Sequence, residues 1–264
     1  MELLRLVKRR LVNLAYAASE SGLAAIGVSR PSVVLILGHM RSGSTLLLHL
    51  LLTNSRISSL GERNTAYAAR SDLVRLAAET RFRTRKIFAT LNYIADQVNH
   101  DRFTPCLSLL NDPRVRVIFL LRRPEASLAS LSALSRLYAG KSAVLLRATD
   151  YYVTRLQFMR DLAGNLVGTG QAAFVTYEQL IDSPTQALAR LQNFLRLAQG
   201  FSTEYEIQQF TRRRGDPGPN IGLGRITGNK SPQPSVVSAA DSERATQAYV
   251  ECRQSLCRLQ GSAP

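Results

Sequence analysis

The segment Ser32–Leu52 constrains the fold more than any other stretch of the chain. Ser32–Leu37 reads SVVLIL, a short apolar run bounded by Pro31 and Gly38. A run that is apolar on both alternating faces belongs in a sheet covered on both sides, which is the habit of parallel sheets. Thr45–Leu52 reads TLLLHLLL and is apolar all round, as a helix packed into a core must be. Between them, Gly38-His39-Met40-Arg41-Ser42-Gly43-Ser44-Thr45 carries two glycines at the spacing of the phosphate-binding pattern G-x-x-x-x-G-K-S/T. Glycine lets the backbone curl so that successive N–H groups point inward, and the helix N-terminus that follows adds partial positive charge. The segment therefore predicts an anion cradle at the end of a buried strand. The lysine of the pattern is replaced by Ser44, and a basic residue stands inside the loop instead, at Arg41.

The rest of the chain extends this unit. Arg56–Leu60 predicts a second strand ending at Gly61-Glu62, and Ser71–Thr90 a helix with basic residues on its outer face. Val115–Leu121 predicts a strand closed by Arg122-Arg123-Pro124, with Pro124 opening a helix at the position proline favours. Thr149–Leu162, Ser183–Leu197 and Ala239–Leu259 predict helices, and Ala172–Tyr177 a strand. Gly215–Pro234 predicts a long loop, rich in glycine and proline. Strands alternating with helices imply an α/β fold of three layers, with a mainly parallel central sheet flanked by helices. Ligands of such sheets bind beyond the carboxyl ends of the strands. That rule draws the loop after Leu37, Glu62, Arg122 and Tyr177 to one place. A single domain over 1–264 is expected, with a basic helical segment at 1–30.

Charge narrows the ligand. The chain of 264 residues carries a formal net charge of +15, with a pI of about 10.5, and so seeks anions. No stripe of alternating aromatic and basic residues marks a single-strand binder, and nucleic acid is not expected as a partner. The strand Val115–Leu121 ends in Arg122, where a nucleotidase would often place a magnesium-binding Asp. The loop thus suits a 5′-phosphate while lacking the machinery for triphosphate cleavage. A kinase or nucleotidase, and a non-catalytic polyanion-binding protein, are the alternative classes. The three cysteines, Cys106, Cys252 and Cys257, form no CxxC pair, so neither a disulfide framework nor a metal site is expected. The N-terminal stretch is apolar but broken by Arg5, Lys8, Arg9 and Arg10, with Leu4, Val7, Leu11 and Leu14 at helical spacing. It predicts an amphipathic helix that packs on the domain or touches an anionic membrane, not a span. A soluble, cytoplasmic and bacterial protein is the expectation.

Three segments in order resemble the PAPS-dependent sulfotransferases (PAPS is 3′-phosphoadenosine-5′-phosphosulfate). Met40–Thr45 is similar to their 5′-phosphosulfate loop, K/R-S-G-S/T-S/T. Arg122–Ser130 (RRPEASLAS) resembles their 3′-phosphate motif, an arginine at a strand end and a serine eight residues on. Val175–Leu180 (VTYEQL) resembles the segment Y-E-D/Q-L, whose tyrosine, here Tyr177, lies near the cofactor in relatives. The likeness covers roughly 33–197, with a looser echo to Pro234, and is nearest the carbohydrate, tyrosyl-protein and bacterial branches. It implies a P-loop-like fold and transfer of a sulfuryl group from PAPS to a hydroxyl or amine, releasing PAP without a metal. Carbohydrate, lipid, small-metabolite and peptide acceptors all stay open.

The resemblance also implies roles. His39, Met40, Arg41, Ser42, Gly43, Ser44 and Thr45 would hold the 5′-phosphosulfate, and Arg122, Ser130 and Tyr177 the 3′-phosphate side. Arg41 would stabilise charge on the leaving group. Arg123 competes with Arg122 for the phosphate contact. Glu62 matches a catalytic glutamate of the tyrosyl-protein branch and is the first candidate for the base; His100 is the rival, and His49 reads as packed. Relatives carry an Asp-Lys pair ahead of the 3′-phosphate strand, whereas this chain has Asp96-Gln97. Arg225 and Lys230, in the glycine-containing stretch at 215–235, would close over the nucleotide.

Overall fold

Apolar segments from five parts of the chain pair side by side in the computed structural model, which describes residues 16, 18–138, 148–212, 219–228 and 237–259. β1 (Ser32–Leu37) lies at the centre of the order β2 (Ile57–Ser59), β3 (Tyr93–Val98), β1, β4 (Val115–Leu121), β5 (Ala172–Thr176), and all pairings are parallel. The chain leaves β1 for the β3 flank, then crosses to the β4 flank. Its crossovers therefore diverge at the carboxyl end of β1, the place where ligands of such sheets bind. Leu37 stands opposite Val98 on one side and Phe119 on the other, so the loop begins level with the end of β3, while β4 runs on to Leu121.

Alternation along the strands sorts the core into two layers. Val33, Leu35 and Leu37 face α2 (Arg70–Arg83), α4 (Pro124–Tyr138), α5 (Ala148–Gly164) and α8 (Ala239–Cys257). Val34 and Ile36 face α1 (Ser44–Leu52), α6 (Tyr177–Asp182) and α7 (Pro184–Phe194). A short helix, α3 (Leu107–Leu110), precedes β4. The expected three-layer α/β fold with a parallel sheet is the fold observed.

Several boundaries differ from expectation for local reasons. β3 reads YIADQV, and Asp96 and Gln97 at its carboxyl end hide it from an apolar-run search. The helix expected over 71–90 ends at Arg83: the Thr84 hydroxyl turns back to the Thr80 carbonyl at 2.7 Å, and Arg85 takes a left-handed φ of 57°. Its basic face is interrupted by Arg81, which is buried and donates to the carbonyls of Ser29, Ile87 and Ala89. Tyr177 opens α6 rather than ending β5, because Thr176 caps that helix by accepting from the Gln179 N–H. All three cysteines are free. Among the described residues no helix is long and apolar enough to cross a membrane. A helix is described at 18–25; residues 1–15, on which the expected amphipathic helix rests, Lys230 and part of the stretch at 215–235 lie outside the described residues.

Candidate functional site

The loop between β1 and α1 turns on two left-handed residues, Arg41 with φ 67° and Gly43 with φ 91°. Gly43 is the N-cap of α1 and supplies no side chain to the first turn, so the N–H groups that open the helix are not capped by a side chain. A Cβ at Gly43 would lie 2.4 Å from Cδ2 of Tyr177, so glycine is required both by φ and by space. Tyr177 in turn stacks beneath Arg122, whose guanidinium carbon is 4.3 Å from the ring centroid. The three residues form one stack: loop glycine, aromatic ring, cation.

Arg122 reaches back to the loop, donating from Nη1 to the Arg41 carbonyl at 3.0 Å. Its own carbonyl accepts from Ser127 Oγ at 3.2 Å and Tyr152 Oη at 2.7 Å, which fixes the backbone at the end of β4. Arg123 is exposed, and its N–H donates to Glu178 Oε1. The structure thus points Arg122 at the loop and Arg123 outward. Arg41 Nε donates to Ser130 Oγ at 2.8 Å. The resemblance assigned Arg41 and Ser130 to separate anion positions, yet they touch across 89 residues of sequence.

On the other flank, the Tyr151 hydroxyl accepts from the Met40 N–H at 2.8 Å and donates to the Asn99 carbonyl at 2.8 Å. Burial pushes that hydroxyl up to about 12, so it stays protonated and able to donate. Asn99 Nδ2 donates to Glu62 Oε1 at 3.1 Å, which brings the first candidate base beside the loop. Arg63 forms an ion pair with Glu79, and its N–H donates to Asp96 at 3.1 Å. Asp96 also accepts from the Tyr67 hydroxyl and from the Gln97 N–H. Burial raises the Asp96 carboxyl to about 7. Gln97, where relatives carry lysine, is buried and projects to the α1 side of β3, as the alternation with Tyr93 and Ala95 requires.

The histidines are placed differently from one another. His39 is fully buried beneath the loop, with its Nδ1–H on the Met40 carbonyl at 2.8 Å and its ring against the edge of Tyr152. Burial pushes it down to about 3, so it is a neutral support and brings no charge to an anion. His49 is packed as expected: it donates to the Thr45 carbonyl and accepts from the Gln208 N–H, among Tyr205 and Phe210. His100 is half-buried against Phe103 and Tyr151, and burial, then Arg102 and Arg155, lower its pKa. Ser42, Ser44 and Thr45 are buried in the loop and the first turn of α1. Arg225 is exposed and bridges Glu204 through its backbone; among the described residues no hydrogen bond or ion pair carries its side chain to the loop.

Arg155 escaped the sequence reading. It is buried in α5, with Nε on the Gly38 carbonyl at 2.8 Å, Nη2 on the Val98 carbonyl at 2.7 Å and Nη1 on Asp101 at 2.5 Å. It clamps the ends of β1 and β3 together at the root of the loop. The signal was there: Arg155 falls in the inward stripe of Tyr152, Leu156 and Met159, where a charge demands a partner.

The arrangement can hold an anion. Uncapped N–H groups, Arg41 and Arg122 converge at the carboxyl end of β1, while Glu62 and His100 stand on the other flank. No protein-family model matches the chain, and no curated protein sequence does. Among solved structures, the chain is similar to the sulfotransferase domain from the curacin biosynthetic pathway, with a TM-score of 0.50 and 16% identity, covering 84% of this chain and 98% of that one. The sulfotransferase domain of the Synechococcus PCC 7002 olefin synthase gives 0.46 and 18% over 84% and 94%. A mouse sulfotransferase complexed with PAP gives 0.46 and 11% over 89% and 90%. At 16% identity the likeness to the curacin domain is one of fold, and it agrees with the resemblance carried by the loop, Arg122–Ser130 and Tyr177: this chain has the sulfotransferase fold.

Proposed function

We propose that the chain is a PAPS-dependent sulfotransferase acting on a hydroxyl or amine acceptor. The observation that carries the reading is the junction of the glycine loop with Arg122 and Ser130. PAPS bears a 5′-phosphosulfate and a separate 3′-phosphate, so a protein that binds it needs two anion positions close together. The N–H groups at the start of α1 suit the first, and Arg122 with Ser130 the second. Triphosphates lack the 3′-phosphate, and the loop offers Ser44 where a nucleotidase needs lysine.

The co-substrate supplies the sulfuryl group and leaves as PAP. The part of Arg41 is electrostatic: its guanidinium stabilises negative charge growing on the leaving oxygen, together with the loop N–H groups. Ser130 and Arg122 hold Arg41 in place from opposite ends, one at its guanidinium and one at its carbonyl. Glu62 takes the proton of the acceptor hydroxyl, with the Asn99 amide holding one of its carboxylate oxygens. Met40, His39 and Tyr151 keep the loop in its curled form.

A thermal-shift titration with PAP, beside ATP with magnesium, tests the reading. PAP should raise the melting temperature as its concentration passes its Kd, and ATP with magnesium should not. A shift with ATP and magnesium alone would return the chain to the kinase and nucleotidase class.

A further inference from the structure

A second surface, at the opposite edge of the sheet, is built for a different partner. The helix at 18–25 and the end of α2 enclose a groove of about 480 Å³ whose walls include Leu23, Ile26, Phe82, Ile87 and Phe88. Three of these are among the most exposed large apolar side chains described: Phe82 and Phe88 at 71% each, and Ile26 at 65%. Scattered exposed apolar residues are ordinary, but three lining one groove are not.

The groove is held open by buried charge. The Arg81 guanidinium pairs with Glu20 at 3.6 Å beneath it and donates to the carbonyls of Ser29, Ile87 and Ala89. That one side chain ties the helix at 18–25, the entry to β1 and the turn after α2 into one piece. It presents Phe82 and Phe88 on a fixed backbone. Around them stand Arg83 and Arg85, both exposed, and the half-buried Lys86. From Thr80 to Ala95 the sequence contains no Asp or Glu. Phenylalanines flanked by arginine and lysine, with no carboxylate between, match an interface that is apolar in depth and anionic at its surface.

We propose that this groove is a docking surface for an anionic lipid bilayer, with Phe82, Phe88 and Ile26 entering the acyl boundary and Arg83, Arg85 and Lys86 meeting the headgroup phosphates. The helix at 18–25 leads into β1, and the end of α2 leads into β3, so the groove lies at the amino edge of the sheet. The glycine loop lies at the carboxyl edge. A docked molecule therefore keeps its anion cradle turned toward solvent.

Vesicle co-sedimentation of the full chain tests this, with phosphatidylcholine alone and with phosphatidylcholine mixed with phosphatidylserine. The wild-type chain should pellet with the mixed vesicles and stay in solution with phosphatidylcholine. Phe82→Ser with Phe88→Ser removes the apolar part, keeps every charge and should lower partitioning by about tenfold or more. Both side chains are exposed, so the melting temperature should hold. Arg83→Gln with Arg85→Gln should weaken binding to the mixed vesicles and flatten its salt dependence. Wild-type protein that ignores both vesicles overturns the proposal. So does a serine variant that binds as well as wild type, since the attachment would then be general charge or another segment of the chain. A wild-type chain that self-associates through Phe82 and Phe88 without binding vesicles would make the groove a contact between copies.

Discussion

On the β4 flank of β1 the loop is met by charge: Arg122 bonds the Arg41 carbonyl, Arg41 bonds Ser130, and Tyr177 fills the space between Gly43 and Arg122. On the β3 flank it is met by neutral groups in relay, the Tyr151 hydroxyl to Met40 and Asn99, then the Asn99 amide to Glu62. The first flank works through guanidinium groups, which act through charge and reach. The second works through hydrogen bonds between neutral donors and their acceptors, each of which must be aimed by the backbone beneath it. The contacts of Arg41 and Arg122 lie on the β4 flank, and that of Glu62 with Asn99 on the β3 flank. A base pressed against Arg41 and Arg122 would hold its proton less readily.

The most severe way to break this contrast is Gly43→Val, which strikes the point both flanks share. The added Cβ meets the Tyr177 ring and the residue must hold φ 91°. PAP-induced stabilisation should vanish, and the basal melting temperature should fall as well. Glu62→Gln separates the flanks. Turnover with PAPS should drop by about two to four orders of magnitude, while PAP binding by calorimetry stays near wild type. Retained turnover would move the base to His100. Arg155→Met probes the root of the loop. It leaves the Gly38 and Val98 carbonyls and the Asp101 carboxylate without their buried donor, at a cost of about 3 kcal/mol in denaturant unfolding. Arg122→Ala should spare far more of that stability.

Asp96→Asn is the mildest and reads the β3 flank by pH. Burial holds the Asp96 carboxyl at about 7 against an ordinary value of 3.8. The unfolded chain releases this proton first as pH rises, so the contribution is fully present below the ordinary value and lost as pH climbs through about 7. The wild-type melting temperature should carry that decline between these limits, and the asparagine variant should lose it. A decline of equal size in both would assign it to other groups.

The two flanks also differ in how far they could be read in advance. Strand β1, the glycine loop, α1, β4 and the proline-opened α4 were legible because each is a local pattern: an apolar run, a glycine spacing, a capping proline. Arg122, Ser130 and Tyr177 were singled out through the family resemblance, and the structure brings Arg122 and Ser130 to Arg41 and Tyr177 to Arg122. Strand β3 was missed because Asp96 and Gln97 break its apolar run. With β3 unplaced, nothing could bring Asn99 beside Glu62 or Tyr151. Arg155 was legible only as a misfit within a helical stripe, and its partners Gly38, Val98 and Asp101 become neighbours only once β1 and β3 pair. The contact between Arg41 and Ser130 depends on how α4 leans over the loop, a tertiary fact that no spacing encodes. The groove at Phe82 and Phe88 depends likewise on where α2 stops.

The proposed function turns on two anion positions at the loop, with Arg122 serving the 3′-phosphate. Titration calorimetry of PAP and of 5′-AMP, which lacks that phosphate, against wild-type and Arg122→Ala protein tests it most directly. The wild type should prefer PAP, and the variant should lose about 2 kcal/mol, some thirtyfold, for PAP and little for 5′-AMP. An equal loss for both ligands, or none for either, would contradict it.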